Sequence, residues 1–527
     1  MAKIAMPYKK FFLTMFVVVF IGSISVLITP VLIQIWSQDV IGLNYGRIVL
    51  LFLVLLLAMS IELTAIFFRE RFAKNFNIQT CKTLLNDYLN SSYDMLHEKG
   101  SMYLVERIAG AVNHYYNFYT GDSIKIWTSS FIVGAVVFML ATHNLALAIV
   151  LALLIPINYF GFKLVNKRLL VYSNHMQEVN ASNWQKILSI VQHTDYIKQS
   201  SQQERLFEQI TPAIEKIYGV MSKTNTFAQV CSQFLKSINN LSSIMIMAIL
   251  VFEFAQNETS PLLLVLYTVI LPLYFNQLGV ITQANLNKRD MLASKEFAQM
   301  LKNNREKDGE AELNGIDEIT IQLPELKIND RVLAYGISAK ISKGDVIWVK
   351  GESGTGKSTL LKLLVKFRPI QGILINGIDL TKISNNSLRE HTEYLAQNVP
   401  IINGSLRDNL FLGKKYSHEL EVQMEEEPIL HSILQYKNMD TLILADGSNL
   451  SGGEKQKIAI ARALYNTGQV MILDEITSNI DKESADDIYK RLLKNHQDKI
   501  IFIISHEELE DSVYNKVLEL TSWQDAK

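Results

Sequence analysis

The chain has only two cysteines in 527 residues, Cys81 and Cys231. Two cannot build a disulfide framework or a four-cysteine zinc site, so both read as small buried hydrophobes. Charge of one sign is missing too: 51 Lys and Arg face 52 Asp and Glu, for a formal net charge of -1. Without a global basic field, nothing argues for nucleic acid as a partner. What the chain has in quantity is apolar sequence, and that is concentrated in the first 285 residues.

The run "FFLTMFVVVFIGSISVLITPVLIQIW" at 11–36 exceeds the about 20 apolar residues that a hydrocarbon core requires. Lys3, Lys9 and Lys10 precede it as they would a signal peptide, but signal cores are about 7 to 15 residues long and this one continues. Further runs lie at 47–68, 126–142, 145–165, 237–255 and 261–283. Six spans return the chain to its starting side. Under that count Lys3, Lys9, Lys10, Arg69, Arg71, Lys74, Lys163, Lys167 and Arg168 all flank one side, which makes it cytoplasmic. The chain is expected to be a multi-pass protein of a bacterial cytoplasmic (plasma) membrane, in contact with membrane lipid and with its N-terminus inside.

The outer connections are short, whereas the inner ones, 69–125 and 166–236, are long and polar. Apolar residues at three-to-four spacing, as in "RLFEQITPAIEKIYGVM", predict helices there. At about 1.5 Å per residue these would reach well into the cytoplasm. One acid stands inside a span, Glu62 in "LLLAMSIELTAIFF". An ionised group near the bilayer centre costs roughly 2.5 to 3.5 kcal/mol unless it faces the bundle or water. Glu62 is therefore either a contact for a cationic group of a ligand or half of a pair with a neighbouring helix. Asn239, Asn240, Asn276 and Gln277 read first as helix-helix contacts.

After residue 302 the chain becomes a charged, Gly-punctuated linker at 303–315, and a separate domain follows at 316–527. In it the strand "DVIWV" runs into "GESGTGKST" and then a helix, the strand-loop-helix context that a P-loop requires. Gly351, Ser353, Gly354, Thr355, Gly356, Lys357, Ser358 and Thr359 form that loop. Its backbone N–H groups cradle phosphate, Lys357 neutralises the β and γ oxygens, and Ser358 offers a hydroxyl to Mg²⁺. A second apolar strand, "VMIL", ends in Asp474 and Glu475, one carboxylate for the metal and one to orient or deprotonate a water. The plainer alternative for Glu475 is a cap on the segment after it. A third strand, "KIIFII", delivers Ser505 and His506 to the sheet edge where ligands of open α/β sheets bind.

A second anion cradle stands in "NLSGGEKQK", where Ser451, Gly452, Gly453 and Glu454 open a helix. Together "GESGTGKST", "YLAQN" with Gln397, "LSGGEKQ", "VMILDE", "SNID" with Asp481 and "ISH" with His506 resemble the nucleotide-binding domain of ABC transporters. "NGSLRDNLFLG" at 403–413 is similar to exporter-type members. The resemblance covers essentially the whole chain and implies a half-transporter: an all-α six-helix transmembrane domain (1–302) with long cytoplasmic helical extensions, then an α/β P-loop ABC ATPase domain. It also implies ATP and Mg²⁺ as cofactors, with Ser358, Gln397 and Asp474 on the metal, Glu475 and His506 in hydrolysis, and Asp481 in the loop after them. In this family Ser451, Gly452, Gly453 and Glu454 serve ATP held by a partner's P-loop, so a homodimer is expected, a heterodimer with a second half-transporter being the alternative.

Two departures stand out. The stretch where the family places an adenine-stacking aromatic reads "ELKIND", leaving Tyr335 as a substitute or as a simply packed ring. "TLILADGSN" before the signature lacks the acid of the usual exporter stretch. The segments 93–113 and 193–210 resemble those that couple to the ATPase domains in exporters. The layout implies export of a cargo, with a small, ribosomally made peptide favoured over a lipid or drug. No cysteine protease domain precedes the first span, so this chain is not expected to remove a leader. An ATP-gated channel or sensor is the alternative of another class.

Overall fold

Long apolar runs continue as helix into the polar segments beside them. Six helices among the described residues are long and apolar enough to cross a membrane, by length and composition. The computed structural model describes residues 9–37, 45–142, 144–199, 201–256, 261–328, 331–444, 447–465, 467–478, 482–495, 497–505 and 507–521. The chain divides into two units, Met1–Arg305 and Glu306–Lys527.

The first unit is all-helical: α1 (Lys9–Ser37), α2 (Tyr45–Leu89), α3 (Tyr93–Lys99), α4 (Ser101–Asn117), α5 (Ser123–Ala141), α6 (Leu145–Val191), α7 (Thr194–Gln199), α8 (Gln203–Ala255) and α9 (Pro261–Asn303). A π-helical turn, Phe118–Asp122, joins α4 to α5. The polar connections 69–125 and 166–236 are thus mostly continuations of the spanning helices, as their periodicity predicts. Pro30, Pro156 and Pro272 lie within helices, which packing in an apolar bundle tolerates.

One core of this unit gathers Ile33, Val136, Leu140, Leu151, Leu250 and Ile270. Two polar pairs join helices in this unit. Asn158 and Asn239 exchange amide hydrogen bonds at 3.0 and 3.1 Å, and the Ser129 hydroxyl donates to Gln277 Oε1 at 2.6 Å. Asn239 and Gln277 therefore bind helix to helix. Glu62 lies on α2, but its side chain is outside the described residues.

The second unit holds two main sheets. Strands β1 (Glu318–Ile328), β2 (Arg331–Ser342), β3 (Val346–Lys350), β4 (Ile373–Ile375), β5 (Ile378–Asp379), β6 (Thr392–Leu395), β7 (Gly404–Ser405), β8 (Leu442–Ile443), β9 (Val470–Asp474), β10 (Ile500–Ile504) and β11 (Lys516–Glu519) alternate with helices α10 (Lys357–Leu364), α11 (Asn385–His391), α12 (Leu406–Leu410), α13 (His418–Glu425), α14 (Pro428–Leu434), α15 (Gly452–Leu464) and α16 (Lys482–Asn495). The antiparallel sheet has the order β2-β1-β4-β5, and the larger one β11-β3-β10-β9-β6. All four pairings in the larger sheet are parallel. Its central strands β9 and β10 are buried at every residue, as a parallel sheet covered on both faces demands. Between the sheets lie Ile321, Leu326, Val349, Leu360, Ile472 and Phe502.

Residues 306–316 pack onto this second unit. Ala311 bridges to Ile383, Leu313 and Ile316 enter the core, and Asp308 Oδ1 accepts from the Asn385 N–H at 2.7 Å. Gly309 passes so close to Lys382 that an added Cβ would stand 2.2 Å from its carbonyl.

Candidate functional site

Parallel pairing puts the C-terminal ends of β3, β6, β9 and β10 on one edge of the sheet, and four of the sequence motifs begin there. From β3 the chain enters Gly351–Thr359. Gly356, at φ 93°, caps α10, and an added Cβ there would meet Leu326 Cδ2 at 2.8 Å and Leu333 Cδ1 at 3.1 Å. The β1–β2 hairpin therefore lies against the loop, and only glycine fits both the left-handed turn and the approach. Ser353 and Gly354 are exposed, Thr355 is buried, and Thr359 is half-buried in the first turn of α10. Thr355 Oγ1 ties the loop to itself by donating to the Glu352 carbonyl at 2.9 Å. The Lys357 ammonium donates to the Gly351 and Glu352 carbonyls at 2.7 and 2.9 Å.

Asp474, the last residue of β9, is only 4% exposed. Ser358 Oγ donates to its Oδ1 at 3.0 Å, and the Tyr394 phenol donates to its Oδ2 at 2.8 Å. A hydroxyl and a carboxylate in contact at a P-loop are the hard oxygen donors that Mg²⁺ takes alongside phosphate, so these residues fit that ion. Glu475 follows with φ 55°, a left-handed conformation rare for a non-glycine residue. Gln397 Nε2 donates to Glu475 Oε2 at 2.6 Å. Gln397 is thus joined to Glu475, and not by its amide nitrogen to the Ser358–Asp474 pair.

Ser451, Gly452, Gly453 and Glu454 lie on the separate α15, where a capping box closes the N-terminus. Ser451 Oγ accepts from the Glu454 N–H at 3.1 Å, and Glu454 Oε2 accepts from the Ser451 N–H at 2.7 Å. Lys437 Nζ donates to Glu454 Oε1 at 2.7 Å. Burial pushes the Glu454 carboxyl up, but the bonds from Lys437 and Ser451 outweigh it and hold the group below the ordinary glutamate range. Glu454 therefore has a local structural task. Gln456 Nε2 reaches Ser478 Oγ at 3.0 Å, which ties α15 to the turn after Glu475. At the end of β10, Ser505 Oγ accepts from the Glu507 N–H at 3.1 Å. His506 and Asp481 lie outside the described residues.

Sequence reasoning missed Tyr394 and Lys437. Tyr394 was legible as a polar-tipped ring three residues before Gln397 on a strand paired with β9, whereas Lys437 meets Glu454 only through the fold. Tyr335, opposite Glu325 in the hairpin, is 43% exposed, so its ring is not packed away.

Residues 334–478 match the family model for ABC transporters. Among curated relatives, a probable ABC transporter ATP-binding/permease protein of Haemophilus influenzae is 28% identical over 62% of this chain and 58% of its own length. The lactococcin-A transport/processing ATP-binding protein of Lactococcus lactis is 38% identical over 36% of this chain and 28% of its own. An ATP-dependent lipid A-core flippase of Desulfotalea psychrophila is 25% identical over 71% of this chain and 67% of its own. The chain thus spans less than two thirds of the length of the first two relatives. A solved bacterial Atm1-family ABC exporter with ATP bound has the same fold, with a TM-score of 0.86 over 98% of this chain and 94% of its own, at 18% identity. Residues 334–478 thus resemble the ABC transporter domain, and the chain has the fold of an ABC exporter, six membrane-length helices followed by one α/β unit.

Proposed function

We propose that two copies of this chain form an ATP-driven exporter of a small peptide across a bacterial cytoplasmic membrane. The observation that carries this reading is the Ser358–Asp474 contact beside the Gln397–Glu475 contact, in a chain that also supplies six membrane-length helices. In each site Lys357 and the P-loop N–H groups hold the phosphates, while Glu475 orients the attacking water and takes its proton. Ser358 and Asp474, with Gln397 nearby, would hold Mg²⁺, which when bound neutralises charge on the phosphate oxygens. His506, which follows Ser505 in the sequence, supports the γ-phosphate. Asp481 belongs to the loop that faces the partner. Ser451, Gly452 and Gly453 of one copy face ATP on the P-loop of the other, where the α15 N-terminus offers N–H donors and about half a positive charge.

Peptide cargo is favoured by Glu62, an acid within an apolar run, and by the lactococcin relative. The flippase relative supports lipid as the second cargo class. The test is uptake of a cationic peptide into inside-out vesicles carrying the chain alone. ATP-dependent accumulation against a gradient is expected, and Glu62→Gln should raise the half-saturating peptide concentration about ten- to a hundredfold through loss of a charge-assisted contact. Flux only down a gradient would replace the pump by an ATP-gated channel. Activity that appears only with a second half-transporter would replace the homodimer.

A further inference from the structure

Asp474 is buried, and a buried carboxylate must have each oxygen partnered. Its two partners come from different elements. Ser358 of α10 donates to Oδ1 at 3.0 Å, and Tyr394 of β6 donates to Oδ2 at 2.8 Å. Tyr394 is held for this in two ways. It is paired in register with Ile472 on β9, and its ring meets Phe367 edge-on, with centroids 5.6 Å apart and planes at 80°. Carboxylate orientation about χ2 is broad and roughly two-fold, so a lone bond to Ser358 would leave Oδ2 free to swing. The second bond removes that freedom.

We propose that Tyr394 is a positioning residue: its hydroxyl fixes the Asp474 carboxylate in the orientation that faces Ser358 and so sets the affinity of the site for the divalent cation accompanying the nucleotide. The proposal rests on the reading of this edge as a nucleotide site. It goes beyond that reading by giving metal affinity to a residue to which the motifs assign no role. Outer partners of metal-binding carboxylates act in this way, and their loss costs about 10- to 100-fold in metal affinity.

Tyr394→Phe keeps the ring against Phe367 and removes only the hydroxyl. Mn²⁺ serves as the probe, titrated into the full-length protein with ADP and followed by the spin-resonance signal of free Mn²⁺. A fluorescent ATP analogue in EDTA measures metal-free nucleotide binding. In the variant the Mn²⁺ dissociation constant should rise about tenfold, with binding in EDTA unchanged. Adding Tyr394→Phe to Asp474→Asn should weaken Mn²⁺ no further, because the hydroxyl acts through that carboxylate. An unchanged Mn²⁺ affinity, an equal loss of nucleotide binding in EDTA, or a further loss on top of Asp474→Asn would each overturn the proposal. If the unaltered protein binds neither the ATP analogue nor Mn²⁺ with ADP, the nucleotide reading itself fails.

Discussion

A glutamate held at φ 55° costs on the order of 1–3 kcal/mol, and such strain persists where the surroundings over-determine it. Glu475 is fixed by its own N–H, which donates to the Ile504 carbonyl at 3.1 Å, and by Gln397 on its side chain. A simple cap on the following segment would need neither. Glu475→Gln should therefore keep nucleotide binding while turnover drops by roughly 10²- to 10⁴-fold, the range for loss of a general base. Steady-state phosphate release beside equilibrium ATP binding measures both, and near-normal turnover would move the base elsewhere. Tyr335 is tested at the same scale. It is 43% exposed on the hairpin whose Leu326 and Leu333 approach Gly356 of the P-loop. Stacking on a base is worth about 1–3 kcal/mol, so Tyr335→Ala should weaken ATP binding about fivefold to a hundredfold while Tyr335→Phe retains it. Equal binding by both variants would leave the adenine without this ring.

At the scale of elements, the stretch 306–316 shows what a sequence conceals. Its composition is charged and Gly-punctuated, and its two core residues, Leu313 and Ile316, are too few to set a period. What anchors it is non-local: Glu306 with Arg389, Asp308 with Asn385, and the close pass of Gly309 over Lys382. Gly309→Ala would force backbone apart, and overpacking of this kind costs about 1–3 kcal/mol. Faster protease cleavage near 306–316 and a lower unfolding temperature are expected, with Gly110→Ala, which meets nothing within 4 Å, as the neutral comparison. Equal cleavage in both would deny the packing. By contrast, the spanning helices were legible because a hydrocarbon core demands an apolar run of their length, and β9 and β10 because burial at every residue writes an unbroken apolar strand. The candidate site was legible wherever a motif is contiguous. The bonds from Tyr394 to Asp474, Lys437 to Glu454 and Gln456 to Ser478 were not, because each joins residues brought together only by the folded sheet and helices.

On the scale of the whole molecule, the chain contains two candidate phosphate cradles of different kinds, Gly351–Thr359 with Lys357 opening α10 and the capped N-terminus of α15 with no lysine of that kind. If each completes the other across a two-fold axis, a single copy holds two half-sites and the dimer two whole ones. The decisive measurement uses Lys357→Ala in one copy and Ser451→Arg in another, co-expressed with different tags and purified through both. Each variant alone has both composite sites broken and should be inactive. The mixed dimer joins the intact P-loop of the Ser451→Arg copy to the intact signature of the Lys357→Ala copy, so one of its two sites survives. ATPase activity of about half the unaltered dimer is the expected result if the sites work independently. Mixed dimers as inactive as the separate variants, or full activity in either variant alone, would contradict a shared site.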